Sequence, residues 1–185
     1  MTYLKTFLAA AAFAAVATPA LASDSDVAFK GFQTVCGATA AEFPDVVKAA
    51  EGDGWKNAQV LGDSMAKVSI TDKAARTKTI GAMNLILSTN RGLAQTPGGA
   101  LTVSDCTVRS DQGEAAALEA AAQGWLGFAG TGGADRMAWH FTRDGGAIKP
   151  VTDNGDAAAA GAGLEILTVY RSGASLTMDL MKIRK

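Results

Sequence analysis

Two cysteines, Cys36 and Cys106, are the only ones in a chain of 185 residues, and whether they meet limits every fold open to it. A disulfide between them would close a loop of 70 residues. On the chain-entropy account, such a crosslink removes unfolded-state freedom worth about 4 kcal/mol. Pairing needs an oxidising compartment, and the first residues point to one. Lys5 gives a positive start, residues 8–16 are an alanine-rich apolar run, and Ala20-Leu21-Ala22 is a small-x-small cleavage site. Residues 1–22 are therefore predicted to be a secretory signal peptide, followed by a single domain over residues 23–185. Its alanine-rich composition suggests a bacterium, and hence the periplasm or secretion. No cysteine follows the cleavage site, so no lipid anchor is expected. No later stretch has the roughly 18 apolar residues of a membrane helix, so no membrane anchor is expected after cleavage.

Helical periodicity is clearest early in the chain. Phe29, Phe32 and Cys36 share one face, which predicts a helix over residues 27–36 ended by Gly37. Residues 39–55, TAAEFPDVVKAAEGDGW, are predicted to form the central helix. Thr39 and Glu42 make a capping-box pattern, and Phe43, Val46, Val47 and Ala50 make an apolar stripe. Pro44 marks either the first helical position or the end of a separate capped turn. Gly52 and Gly54 supply a left-handed stop, after which Trp55 is expected to fold back onto the core. Residues 111–123, alanine-rich, read as a third helix ending at Gly124-Trp125. The two Gly-Trp pairs have the same 70-residue offset as the cysteines, which hints at a duplicated unit of helix and strands.

Short strands are expected at residues 59–61 and 65–71, around the turn Gly62-Asp63, with a polar connection over residues 72–76. Residues 79–88 read as a strand or a short helix. Residues 89–99, holding Asn90, Gly92, Pro97, Gly98 and Gly99, read as a loop, and residues 100–109 return as a strand carrying Cys106. Then come a glycine loop (128–134), a strand (136–142), a flexible loop (152–163) and a hairpin (164–170 with 174–183). In its second arm Leu176, Met178 and Leu180 alternate with Thr177, Asp179 and Met181, so one face is buried. The fold class is α+β: an antiparallel sheet covered on one face by helices, with one disulfide pinning the two layers together.

With 17 basic and 18 acidic residues and a formal net charge of −1, the chain has no electrostatic footprint for nucleic acid. Val60-Leu61-Gly62-Asp63-Ser64-Met65 resembles the nucleophile block of the GDSL-type esterases. That resemblance implies Ser64 as nucleophile and His140 as base, with Asp135 orienting it. Asp135 lies five residues before His140 where the family has three, and the family's Gly-x-Asn-Asp block has no match. Gly-Asp-Ser is also ordinary turn chemistry. Met137, His140, Met178 and Met181 offer soft ligands of the kind copper takes, although methionine also serves as core filler. Asp153-Asn154-Gly155-Asp156 resembles part of a calcium loop but lacks the terminal glutamate. Gly130, Gly132 and Gly133 lack the strand and helix of a phosphate cradle.

As a whole, the chain is similar to small uncharacterised secreted bacterial α+β proteins with an early cysteine, a helix ending in Gly-Trp and a cysteine in a later strand. That resemblance implies a periplasmic domain and no particular activity. With one histidine and no complete catalytic set, the expectation is a non-catalytic binding or interaction domain. It takes no cofactor and no metal, and its partner is an unknown protein or small-molecule ligand. Trp139, Tyr170 and Arg171 are the expected contact residues on the second face of the sheet, because these types are enriched at binding hot spots. A serine hydrolase using Ser64, His140 and Asp135 is one alternative, and an envelope structural protein is another.

Overall fold

Ser23 starts the first helix. Its hydroxyl receives the Asp26 backbone N–H while the Asp26 carboxylate receives the Ser23 N–H, so two donors that a helix end leaves free are satisfied reciprocally. The computed structural model describes residues 22–60, 68–133, 135–152 and 163–185. Helix α1 (Asp24–Phe32) passes into a π-helical turn (Gln33–Gly37), and α2 (Phe43–Gly52) and α3 (Ala115–Leu126) complete the helical layer. The strands are β1 (Lys56–Ala58), β2 (Val68–Ile80), β3 (Met83–Thr96), β4 (Gly99–Ser110), β5 (Thr131–Gly133), β6 (Arg136–Asp144), β7 (Ala147–Pro150), β8 (Leu164–Ser172) and β9 (Ser175–Arg184). They form one sheet in the order β1-β2-β3-β4-β9-β8-β6-β5, with β7 also paired to β6, and every pairing is antiparallel.

Strand alternation decides what each face carries. Leu85 and Leu87 of β3, Val108 of β4, Met178 and Leu180 of β9 and Leu167 of β8 share one face through the pairing register. Phe32, Val46 and Leu118 from the three helices join them in a single buried cluster. Cys36 in the π turn is bonded to Cys106 in β4, with the Cα atoms 5.5 Å apart. Trp55 folds back after Gly54, whose φ of +77° ends α2, and its indole N–H donates to Asp53 at 3.0 Å.

A buried ion pair supports the same junction. Arg143 donates through Nε to Glu165 at 2.9 Å and through Nη1 to the Gly37 carbonyl at 2.8 Å. Its guanidinium packs 5.6 Å from the Trp125 ring and 5.7 Å from the Phe141 ring. The cation therefore stands at the carbonyl end of the π turn, where a helix favours positive charge. Burial pushes the Glu165 carboxyl up, and Arg143 opposes that rise.

Several expectations need correction. The Thr39–Glu42 capping box does not form. The Thr39 hydroxyl donates to the Val35 and Cys36 carbonyls, and Glu42 pairs with Arg184 and Lys182 instead. Residues 72–76 are the middle of β2, not a connection, with Asp72 paired to Arg91 at 2.7 Å. The segment read as one strand at 79–88 contains a hairpin turn at Gly81-Ala82. Residues 89–96 are strand, not loop, and only Pro97-Gly98 make the turn. Gly92 is there because a Cβ would lie 2.5 Å from the Ser69 carbonyl oxygen, beside a register shift in β2. Gly124-Trp125 lies inside α3, which ends at Gly127 with φ +80°. The Gly-Trp pairs thus hold different positions, and the duplication has no structural counterpart.

Replacing both cysteines, Cys36→Ala with Cys106→Ala, is expected to lower the unfolding free energy by about 4 kcal/mol. Urea midpoints at unchanged slope, compared with the oxidised wild type, would show it. A change below about 1 kcal/mol would mean that the helical layer is held without the crosslink.

Candidate binding cleft on the open face

The alternation that sends Cys106 and Val108 toward the helices sends Val103, Asp105, Thr107 and Arg109 the other way. On β9 it sends out Asp179, Met181 and Ile183, and on β8 Tyr170. Register pairs Asp105 with Met181 and Thr107 with Asp179, and aligns Thr177 between Arg109 and Tyr170. These side chains, with Val68 of β2 and Ser88 of β3, line a cleft of about 350 Å³. That is at the small end of the range of roughly 300–1,000 Å³ typical of small-molecule sites.

At the centre of the cleft are two carboxyls. Asp105 is 4% exposed and receives a hydrogen bond from the Asn90 amide at 3.0 Å. The Thr107 hydroxyl is 3.2 Å from the Asp179 carboxylate and 3.5 Å from that of Asp105. It has one proton and two acceptors, so it cannot serve both at once. Among the described residues no arginine forms an ion pair with either carboxyl; the arginine pairs go to Glu51, Asp72, Glu165 and Glu42. Burial, and then the charge of Asp179, push the Asp105 carboxyl up to about 7. Burial raises Asp179 to about 6, with Thr107, Arg136 and Arg109 opposing. Asp179 is half-buried and lines the cleft. Like charges this close do not ionise independently, so the two steps belong to the pair.

The expected site residues are scattered. Trp139 is 1% exposed and donates to the Phe128 carbonyl at 3.2 Å, so it is core and offers no surface to a partner. Arg171 is exposed near the end of β8, on the helix side of the sheet. Tyr170 stands in the cleft, with the Arg136 guanidinium 5.5 Å above its ring. His140 is half-buried on the open face of β6, and Asp135 is exposed in the turn before that strand. Among the described residues no hydrogen bond or ion pair joins Asp135 to His140, and Ser64 lies outside those residues. The copper set divides across the sheet, because register puts Met137 with Met178 on the helix face and His140 with Met181 on the open one. Residues 153–156 also lie outside the described segments. Gly130 lies over the Trp139 ring, where a Cβ would come within 2.6 Å, and Gly132 and Gly133 form edge strand β5.

Asp105 and Asp179 were missed as candidates, and the stability of the protein should report them. A carboxyl whose folded value lies above its unfolded one favours the folded state while protonated. Its contribution is present below about pH 4 and is lost as pH rises through the folded value. Asp105→Asn keeps an acceptor for Asn90 and cannot ionise. The variant is expected to match wild type near pH 4 and to be the more stable by about 4 kcal/mol at pH 8. Denaturant titrations at both values test this, and equal stability at pH 8 would contradict it. No protein-family model matches the chain, and neither a curated protein nor a solved structure matches it.

Proposed function

We propose that this chain is a non-catalytic binding domain of the bacterial periplasm or exterior, and that the open-face cleft is its ligand site. One observation carries the reading: a small cleft lined by mixed polar and apolar groups holds two carboxyls raised by burial, and among the described residues no arginine is ion-paired to either. A fold does not keep so costly an arrangement for stability, since apolar residues would pack there at less expense. Sites that depart from the rules of stable packing are where function concentrates.

The export reading has its own support. Ser23 follows the predicted cleavage site and is the residue that caps α1. The Cys36–Cys106 disulfide suits an oxidising compartment. No helix among the described residues is long and apolar enough to cross a membrane.

The test is an amide chemical-shift map of the disulfide-bonded protein against a defined panel: free amino acids, polyamines, simple sugars and dicarboxylates. Shifts confined to the open-face residues of β4, β8 and β9 are expected for at least one class. Shifts confined to the helical layer, or none with any class, would overturn the reading. Labelling by a fluorophosphonate that disappears in Ser64→Ala would also overturn it, in favour of a serine hydrolase. Stable self-association without a ligand would favour the envelope structural alternative.

A further inference from the structure

The cleft is not uniform along its length. At one end Val68, Val103 and Ile183 make an apolar wall, continued by Met181. The middle holds Asp105, Thr107 and Asp179. At the other end Arg109 and Tyr170 line the opening, with Arg136 above the Tyr170 ring. Arg109 is exposed and forms no ion pair among the described residues. Thr177, fully buried on the same face between Arg109 and Tyr170, has a hydroxyl that makes no hydrogen bond of good geometry among the described residues. It lies close enough to the Tyr170 phenol to oppose the upward push that burial gives that group. A buried hydroxyl this weakly bonded is uncommon, and here it lies beside the basic end of the cleft.

Apolar, acidic and basic groups therefore follow one another along the β4–β9 pair. We propose that the cleft binds a free α-amino acid with an apolar side chain, its ammonium against Asp105 and Asp179, its carboxylate against Arg109, and its side chain against Val103 and Ile183. The proposal rests on the cleft being the ligand site. Two residues of strand span about 7 Å, which is the step from Thr107 to Arg109. An α-ammonium and its own carboxylate, each reached by a charged hydrogen bond of about 2.8 Å, cover such a gap. A peptide with its carboxylate several residues away does not. The ammonium also brings a directly bonded positive charge to carboxyls on which Arg109 and Arg136 act only through space, and charged partners of both signs give orientation as well as affinity.

Isothermal titration calorimetry of the disulfide-bonded protein at pH 7 decides the matter with three probes: L-leucine, L-leucinamide and N-acetyl-L-leucine. L-Leucine is expected to bind, with the amide and the N-acetyl compound each at least tenfold weaker. Arg109→Gln and Asp179→Asn are each expected to weaken L-leucine at least tenfold, while thermal melting confirms that both variants remain folded. L-Leucinamide binding as tightly as L-leucine would overturn the amino acid assignment and leave a cation-binding cleft. L-Leucine binding unchanged in both variants would place the site elsewhere and overturn the cleft reading as well. No binding of L-leucine, with a different panel compound shifting the cleft amides, would overturn the assignment alone.

Discussion

The crosslink between the π turn after α1 and the central strand β4 is the constraint from which the rest of the architecture follows. It commits all the helices to one face of a nine-stranded sheet, and that face takes the apolar half of every central strand. Arg143 strengthens the same junction by holding Glu165 and the Gly37 carbonyl at once. Removing either charge would leave the other buried and unpaired, a far larger cost than the net worth of the pair. The helical layer is thus tied to the sheet covalently at β4 and by the charged hydrogen bond from Arg143 of β6 to Gly37.

A sheet covered on one side must settle its other side with what alternation leaves there. On this protein the remainder is not an ordinary solvated face. Thr107, Thr168, Thr177, Asn90 and Asp105 are all buried on it, and the dehydrated Asp105 and Asp179 sit in a cleft of a size suited to a small molecule. Such a face sacrifices stability near neutral pH, when the carboxyls must ionise against their burial with only the through-space help of Arg109 and Arg136. A ligand with an ammonium group would reverse that deficit, so that binding and stability share one physical origin.

Much of this was legible in the sequence, and the failures have physical causes. Helical spacing located α1 and α2, the cysteine pair located the layer contact, and alternation in β9 showed that one face is buried. Asn90 and Gly92 misled because they are loop residues by habit. Here Asn90 is held in a strand by its bond to Asp105, and Gly92 by a close backbone approach. Thr39 and Glu42 misled because the Thr39 hydroxyl donates back to the carbonyls of the preceding turn and Arg184, far away in sequence, claims the Glu42 carboxylate. Trp139 was assigned to a surface although its strand neighbours alternate toward the core. The cleft itself left a readable trace. Once Cys106 is taken as buried against the helices, parity puts Asp105 on the opposite face, and the same step from Met178 and Leu180 exposes Asp179. What parity could not give is that these two lie on adjacent strands, two positions apart in the register.

The measurement that bears most directly on this account is a carboxyl carbon NMR titration of the aspartates from pH 3 to 9, without and with saturating L-leucine. In the free protein the Asp105–Asp179 pair is expected to titrate in two steps near 7 and 6. With L-leucine bound, both steps should move down by more than one unit, because an ammonium favours the carboxylates. If both groups titrate near 4 in the free protein, the open face holds no dehydrated carboxyl pair and the account of the cleft fails.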